Sequence, residues 1–164
     1  MREIAVVLHN VRSIHNVGSI FRTADAAGVR KIYLGGITPG PKDRLGKWRK
    51  DFTKVSLGAE KWKDWEKIRN TAEAINELKS GGYKIFAVEQ SRKSIPFDKI
   101  KKRSAMTCHS ALKIALVLGN EVRGLPPSIL EAADKILEIP MHGRKESLNV
   151  AVAFGIAVFR LIHP

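Results

Sequence analysis

The chain has 164 residues, 44% hydrophobic and 27% charged, the makeup of one globular domain and not of a disordered or fibrous chain. A longest apolar run of ten residues, Val150 to Phe159, falls short of the roughly 20 that cross a bilayer, and a single cysteine, Cys108, excludes an internal disulfide. Lys and Arg outnumber Asp and Glu by 29 to 16, a net +13 that suits a polyanionic partner, and the N-terminus lacks signal-peptide anatomy, so a cytoplasmic protein with no membrane partner is expected.

Ile4 to Leu8 is a continuous apolar run, as expected of a strand covered on both faces. Asn16 then stands at a helix N-cap position, and the helix it opens stops at Gly28. Within it Val17, Ile20, Phe21, Ala24 and Ala27 share one face at helical spacing. Gly18, Ser19, Arg22 and Asp25 share the other, where Gly18 leaves space for a ligand beside Arg22. Lys31 to Leu34 resumes a strand.

From Thr38 to about Glu60 the chain reads as a long irregular excursion, and loops of that length are commonly functional. It carries a basic cluster of Lys42, Arg44, Lys47, Arg49, Lys50 and Lys54, interleaved with Trp48 and Phe52. Residues 71–80 predict a helix and Tyr83 to Val88 a strand. A second basic cluster follows, with Arg92, Lys93, Lys99, Lys101, Lys102 and Arg103. Together the clusters fit RNA or DNA phosphates, and charge alone does not choose between the two. Residues 1–103 hold 23 basic and 11 acidic side chains, net +12; the remainder holds 6 and 5, net +1.

Ile114 to Leu118 is another buried-type strand. Pro126 and Pro127 open a short helix through Ala133, Ile136 to Ile139 forms a last strand, and a nearly all-apolar helix runs from about Leu148 to Ile162. That helix must bury itself in the core or against a second copy. Strands alternating with helices give an α/β fold, a mostly parallel sheet flanked by helices.

Several familiar sites are excluded. Gly119 and Gly124 have phosphate-loop spacing, but Leu125-Pro126 replaces the required Lys-Ser/Thr. The five histidines lack metal-ligand spacing, so no metal is expected. Three polar segments remain, each at the C-terminal end of a predicted strand, where open α/β sheets bind ligands. They run from His9 to Arg22, from Leu118 to Leu125 and from Ile139 to Val150.

In order and spacing these segments, N-x-G-x-x-x-R, G-N-E-x-x-G-L and I-P-M-x-G-x-x-x-S-L-N-V, resemble the motifs of the SpoU/TrmH family of RNA ribose 2′-O-methyltransferases, within the SPOUT superfamily. The resemblance covers nearly the whole chain, so a single domain over residues 1–164 without an appended RNA-binding domain is expected. It implies a C-terminal trefoil knot, S-adenosyl-L-methionine bound in that knot, a homodimer, and tRNA or rRNA as partner.

The resemblance also assigns residues. Arg22 becomes the group that activates the ribose 2′-hydroxyl. A guanidinium with a pKa above roughly 12 is a poor general base, so holding a phosphate and stabilising the developing alkoxide suits it better. Asn16, Glu121, Ser147 and Asn149 complete the implied catalytic set. By local reading alone Ser147 would cap the last helix, with Asn149 in its first turn. Leu118, Gly119, Asn120, Ile139, Met141 and Leu148 match cofactor-lining positions. A knotted RNA-binding factor without activity and a SPOUT enzyme acting on a base atom are the alternatives, and the intact Arg22, Glu121 and Asn149 argue against the first more than the second.

Overall fold

A computed structural model describes residues 2–100 and 112–163. Seven strands form one sheet: β1 (Arg2–His9), β2 (Lys31–Gly35), β3 (Asp64–Ile68), β4 (Lys84–Val88), β5 (Ile95–Pro96), β6 (Leu112–Leu118) and β7 (Lys135–Glu138). Their order is β3-β2-β1-β6-β4-β7-β5, with every neighbouring pair parallel. The helices are α1 (Ile14–Ala26), α2 (Lys50–Ser56), α3 (Ala59–Trp62), α4 (Thr71–Ser80), α5 (Pro127–Ala132) and α6 (Val150–Ile162). Among the described residues no helix is long and apolar enough to cross a membrane.

The period of two along each strand divides the core. Ile4, Val6 and Leu8 of β1 pack with Ile20 and Phe21 of α1 and Phe154 and Val158 of α6. Ala5 and Val7, on the opposite face, pack with Ile75 and Leu78 of α4 and Ile129 of α5. This double cover is why β1 reads as an unbroken apolar run. The expected inner face of α1 is buried throughout.

Three expectations need correction. The Thr38–Glu60 excursion is not irregular from end to end, because it contains α2 and the start of α3. The buried Phe52 of α2 meets Phe21 edge to face, with ring centroids 5.1 Å apart. The strand β3 went unpredicted because it lies at the sheet edge and carries Asp64, Glu66 and Lys67 on an exposed backbone. Charges on an edge strand read as loop, and here one of them, Glu66, pairs with Lys31 of β2 at 2.9 Å. Finally, Gly18 leaves no room for a ligand. Helix α2 occupies that space, and a Cβ on Gly18 would sit 3.1 Å from Val55 Cβ.

From β1 the chain winds outward through β2 and β3 on one side, while β6 leads to β4, β7 and β5 on the other. The boundary between β1 and β6 is the topological switch point, where loops diverge and leave a crevice above the strand ends.

Candidate active site

Two caps set the geometry. Ser13, not Asn16, is the N-cap of α1, and its hydroxyl accepts the Asn16 N–H at 3.3 Å. Asn149, not Ser147, caps α6, its amide oxygen accepting from Ala151 N at 2.9 Å and Val152 N at 3.4 Å. Ser147 stays exposed in the preceding loop. In each case the cap is the residue just before the first helical one, Ile14 or Val150, and the Asn16 side chain is engaged in tertiary bonds instead.

Those bonds join all three polar segments. Asn149 Nδ2 donates to Asn16 Oδ1 at 2.9 Å, and Asn16 Nδ2 donates to Glu121 Oε1 at 3.1 Å. Because the Asn149 oxygen is committed to α6, its NH2 must face Asn16, which fixes the Asn16 amide in turn. Glu121 also accepts from Arg12 N at 2.9 Å and Ser13 N at 3.0 Å. Desolvation would push its carboxyl pKa up, but the backbone bonds from Arg12 and Ser13 and the Asn16 amide outweigh this and hold it below the ordinary value. Among the described residues, no ion pair joins Arg123 to Glu121; peptide N–H groups and the Asn16 amide satisfy it instead.

The turn that carries Glu121 is pinned from both sides. Asn120 Nδ2 donates to Asn10 O at 2.8 Å, while Asn120 Oδ1 accepts from Val122 N and Arg123 N at 3.0 Å each. Gly124 has φ +65°, and a Cβ on Gly119 would lie 2.5 Å from the Gly124 carbonyl carbon. Only glycine allows the two ends of the turn to meet so closely. On the far side Glu89, at the end of β4, accepts from Leu125 N at 2.9 Å. Glu89 stands at a strand end like the three polar segments, though no motif of the sequence marks it.

Beside this turn lies a cleft. Leu118, Gly119, Asn120, Ile139, Met141 and Leu148, all six expected cofactor residues, line it, together with Glu89, Glu121 and Ser147. The cleft has apolar walls, an open stretch of main chain and carboxylates at its margin. Arg22 does not join it. Its side chain is exposed on α1, and Asp25, three residues on, pairs with Lys63 at 3.6 Å. From Asn16 to Arg22 the helix rises about 9 Å.

The first basic cluster is built as a small hairpin leading into α2. Arg49 N donates to Pro41 O at 2.9 Å, Asp43 Oδ1 accepts from Leu45 N and Lys47 N, and Lys42 Nζ lies 4.7 Å from the centre of the Trp48 ring. Lys42, Arg44, Lys47, Lys50 and Lys54 are exposed and Arg49 is half-buried. In the second cluster Arg92, Lys93 and Lys99 are exposed, while Lys101, Lys102 and Arg103 lie outside the described residues.

Comparison with known proteins agrees with this geometry. The chain is 34% identical over 158 residues to the tRNA (guanosine(18)-2′-O)-methyltransferase of Aquifex aeolicus, covering 96% of this chain and 68% of that one. It is 30% identical over 155 residues to the 23S rRNA (guanosine-2′-O-)-methyltransferase of Neisseria meningitidis, covering 94% and 56%. The crystal structure of an AdoMet-bound rRNA methyltransferase from Sinorhizobium meliloti superposes with a TM-score of 0.82 at 31% identity, over 96% of this chain and 55% of that one. The chain thus spans little more than half the length of two of these proteins. The model of the SpoU rRNA Methylase family matches residues 3–159, taking in all three polar segments, and the chain belongs to that family.

Proposed function

We propose that the chain is an S-adenosyl-L-methionine-dependent methyltransferase that modifies a ribose 2′-hydroxyl in structured tRNA or rRNA in the cytoplasm. One observation carries this reading: the Glu121–Asn16–Asn149 chain of hydrogen bonds draws three distant segments together at the sheet's switch point, beside a cleft of mixed apolar and acidic character. The names of the Aquifex and Neisseria relatives, both guanosine 2′-O-methyltransferases, support it.

The residues present fit the cofactor. Leu118, Ile139, Met141 and Leu148 offer apolar surface to a nucleoside, the Gly119 main chain has no side chain to block approach, and nearby carboxylates suit a cationic centre. When bound, S-adenosyl-L-methionine supplies a methyl group already activated by its sulfonium charge. The protein's own task is then alignment and charge. Glu121 holds the start of α1 through the Arg12 and Ser13 N–H groups, and Asn16 and Asn149 fix one another's orientation. Arg22 holds a phosphate and stabilises the developing 2′-alkoxide. Ser147 contributes a hydroxyl at the cleft margin. The basic hairpin from Lys42 to Lys54, with Lys101, Lys102 and Arg103, grips the RNA backbone.

A trefoil knot formed by the C-terminal segment and a homodimer belong to this reading. Helix α6 leaves Val152 51% and Phe159 41% exposed, and Leu148 just before it is 41% exposed. A second copy packed there would cover that apolar face and bring further groups toward Arg22, which does not line the cleft within one chain.

The test is transfer of radiolabelled methyl from S-adenosyl-L-methionine to total small RNA, wild type beside Arg22→Ala, with nucleoside analysis of the digest. Label in a 2′-O-methyl nucleoside, lost in the variant by at least about a hundredfold, is expected. Label on a base overturns the chemistry.

A further inference from the structure

A second groove of about 590 Å³ lies against the other side of the Gly119–Leu125 turn, sharing Asn120, Val122 and Gly124 with the cleft. Its floor is His9 and Asn10 at the end of β1, and its rim carries Arg12, Ile37, Val122 and Arg123. The floor side chains are held in place by a small network of their own. Asn10 Nδ2 donates to His9 Nε2 at 3.0 Å, leaving the Nδ1 proton for Thr71 Oγ1 at 2.9 Å, while Asn10 Oδ1 accepts from Ile37 N at 3.0 Å. Burial lowers the His9 pKa, consistent with a neutral ring.

The rim is of opposite character. Ile37 is 65% and Val122 84% exposed, an unusual outlay of aliphatic surface at a strand-end crevice. Arg12 and Arg123 are exposed and carry the formal charges of the lining. Their main chain is occupied, Arg12 N with Glu121 and Arg123 N with Asn120, which fixes where both side chains start. Two guanidinium groups beside two bare aliphatic faces can hold a phosphate and the flat face of whatever is attached to it. In a protein of net +13 that description fits a splayed nucleotide better than an acidic peptide, which has no π-face to offer.

We propose that this groove is a second nucleotide subsite, holding a neighbour of the methylated nucleotide with its phosphate between Arg12 and Arg123 and its base against Ile37 and Val122. The inference rests on the reading of the chain as an RNA methyltransferase. Because the groove and cleft share one turn as a wall, two adjacent nucleotides could straddle it.

The test uses the full chain and a fluorescein-labelled decaribouridylate, with binding followed by anisotropy at fixed salt. Arg12→Ala/Arg123→Ala removes side chains only and leaves both main-chain bonds. It is expected to weaken RNA binding about tenfold and flatten its salt dependence, with S-adenosylhomocysteine affinity by calorimetry unchanged. Ile37→Ser/Val122→Ser is expected to erase the preference of the wild type for the decamer over its abasic counterpart. RNA affinity equal to wild type in both variants, with cofactor affinity intact, overturns the subsite. Equal displacement of the RNA by an oligoglutamate peptide also overturns it, in favour of an acidic protein partner. Absence of RNA binding by the wild type itself would instead strike the underlying reading.

Discussion

Glu121 accepts from two peptide N–H groups and the Asn16 amide, so its protonation is tied to the order of the site. The ordinary carboxyl value is 4.5 and the folded value lies below it. Above pH 4.5 the clamp is therefore fully present, and it is lost as the pH falls through the folded value. In an NMR titration the Arg12 and Ser13 amide protons should shift together, with a common midpoint below 4.5, and Glu121→Gln should abolish that shift. The same variant should lower methyl transfer at neutral pH by about a hundredfold. A Gln can accept on one atom only and sets an NH2 against an N–H, and displacement of a positioning group by about 1 Å has that order of effect. An unchanged rate in Glu121→Gln would remove the clamp from the mechanism.

At the scale of elements, the turn from Gly119 to Leu125 is held by shape as much as by bonds. Gly119→Ala would place a methyl 2.5 Å from the Gly124 carbonyl carbon and 2.7 Å from Leu125 N, and main chain cannot turn aside as a side chain can. The expected cost is about 1–3 kcal/mol in thermal or denaturant unfolding, with loss of S-adenosylhomocysteine binding by calorimetry. The elements were legible in proportion to their burial. Strands β1 and β6, covered on both faces, stand out as apolar runs, whereas β3 at the edge is disguised by its charges. Local signals also could not choose between cap candidates a few residues apart. Ser13 and Asn16, or Ser147 and Asn149, are equally good N-caps by propensity, and the structure starts the helices at Ile14 and Val150, which makes Ser13 and Asn149 the caps. The contiguous polar runs at strand ends are visible in the sequence, and all six residues expected to meet a cofactor line the cleft. Glu89 lies outside those runs, and its bond to the Leu125 N–H exists only because the sheet brings β4 beside the turn.

For the molecule as a whole, the unpartnered apolar face of α6 is the feature that one chain leaves unresolved. Light scattering is expected to give twice the 18.2 kDa of a single chain for the wild type, and the single mass for Val152→Glu/Phe159→Glu. Methyl transfer should fall with the loss of the second copy, because Arg22 does not line the cleft of its own chain. A wild type that sediments as one chain would remove the homodimer from the proposal.

The bonds from Glu121 to Asn16 and from Asn149 to Asn16 also set an order in time. They join residues 105 and 133 positions apart, so each closes a loop that spans most of the sequence. Contacts of such separation are the slowest to close, since the entropy of the intervening loop must be overcome before they return any stabilisation. Helices and individual strand pairs can therefore assemble while the centre is still missing. A chain that is largely collapsed, with most of its secondary structure in place, still has no site, and local opening of either end of this network dismantles the centre without unfolding the rest.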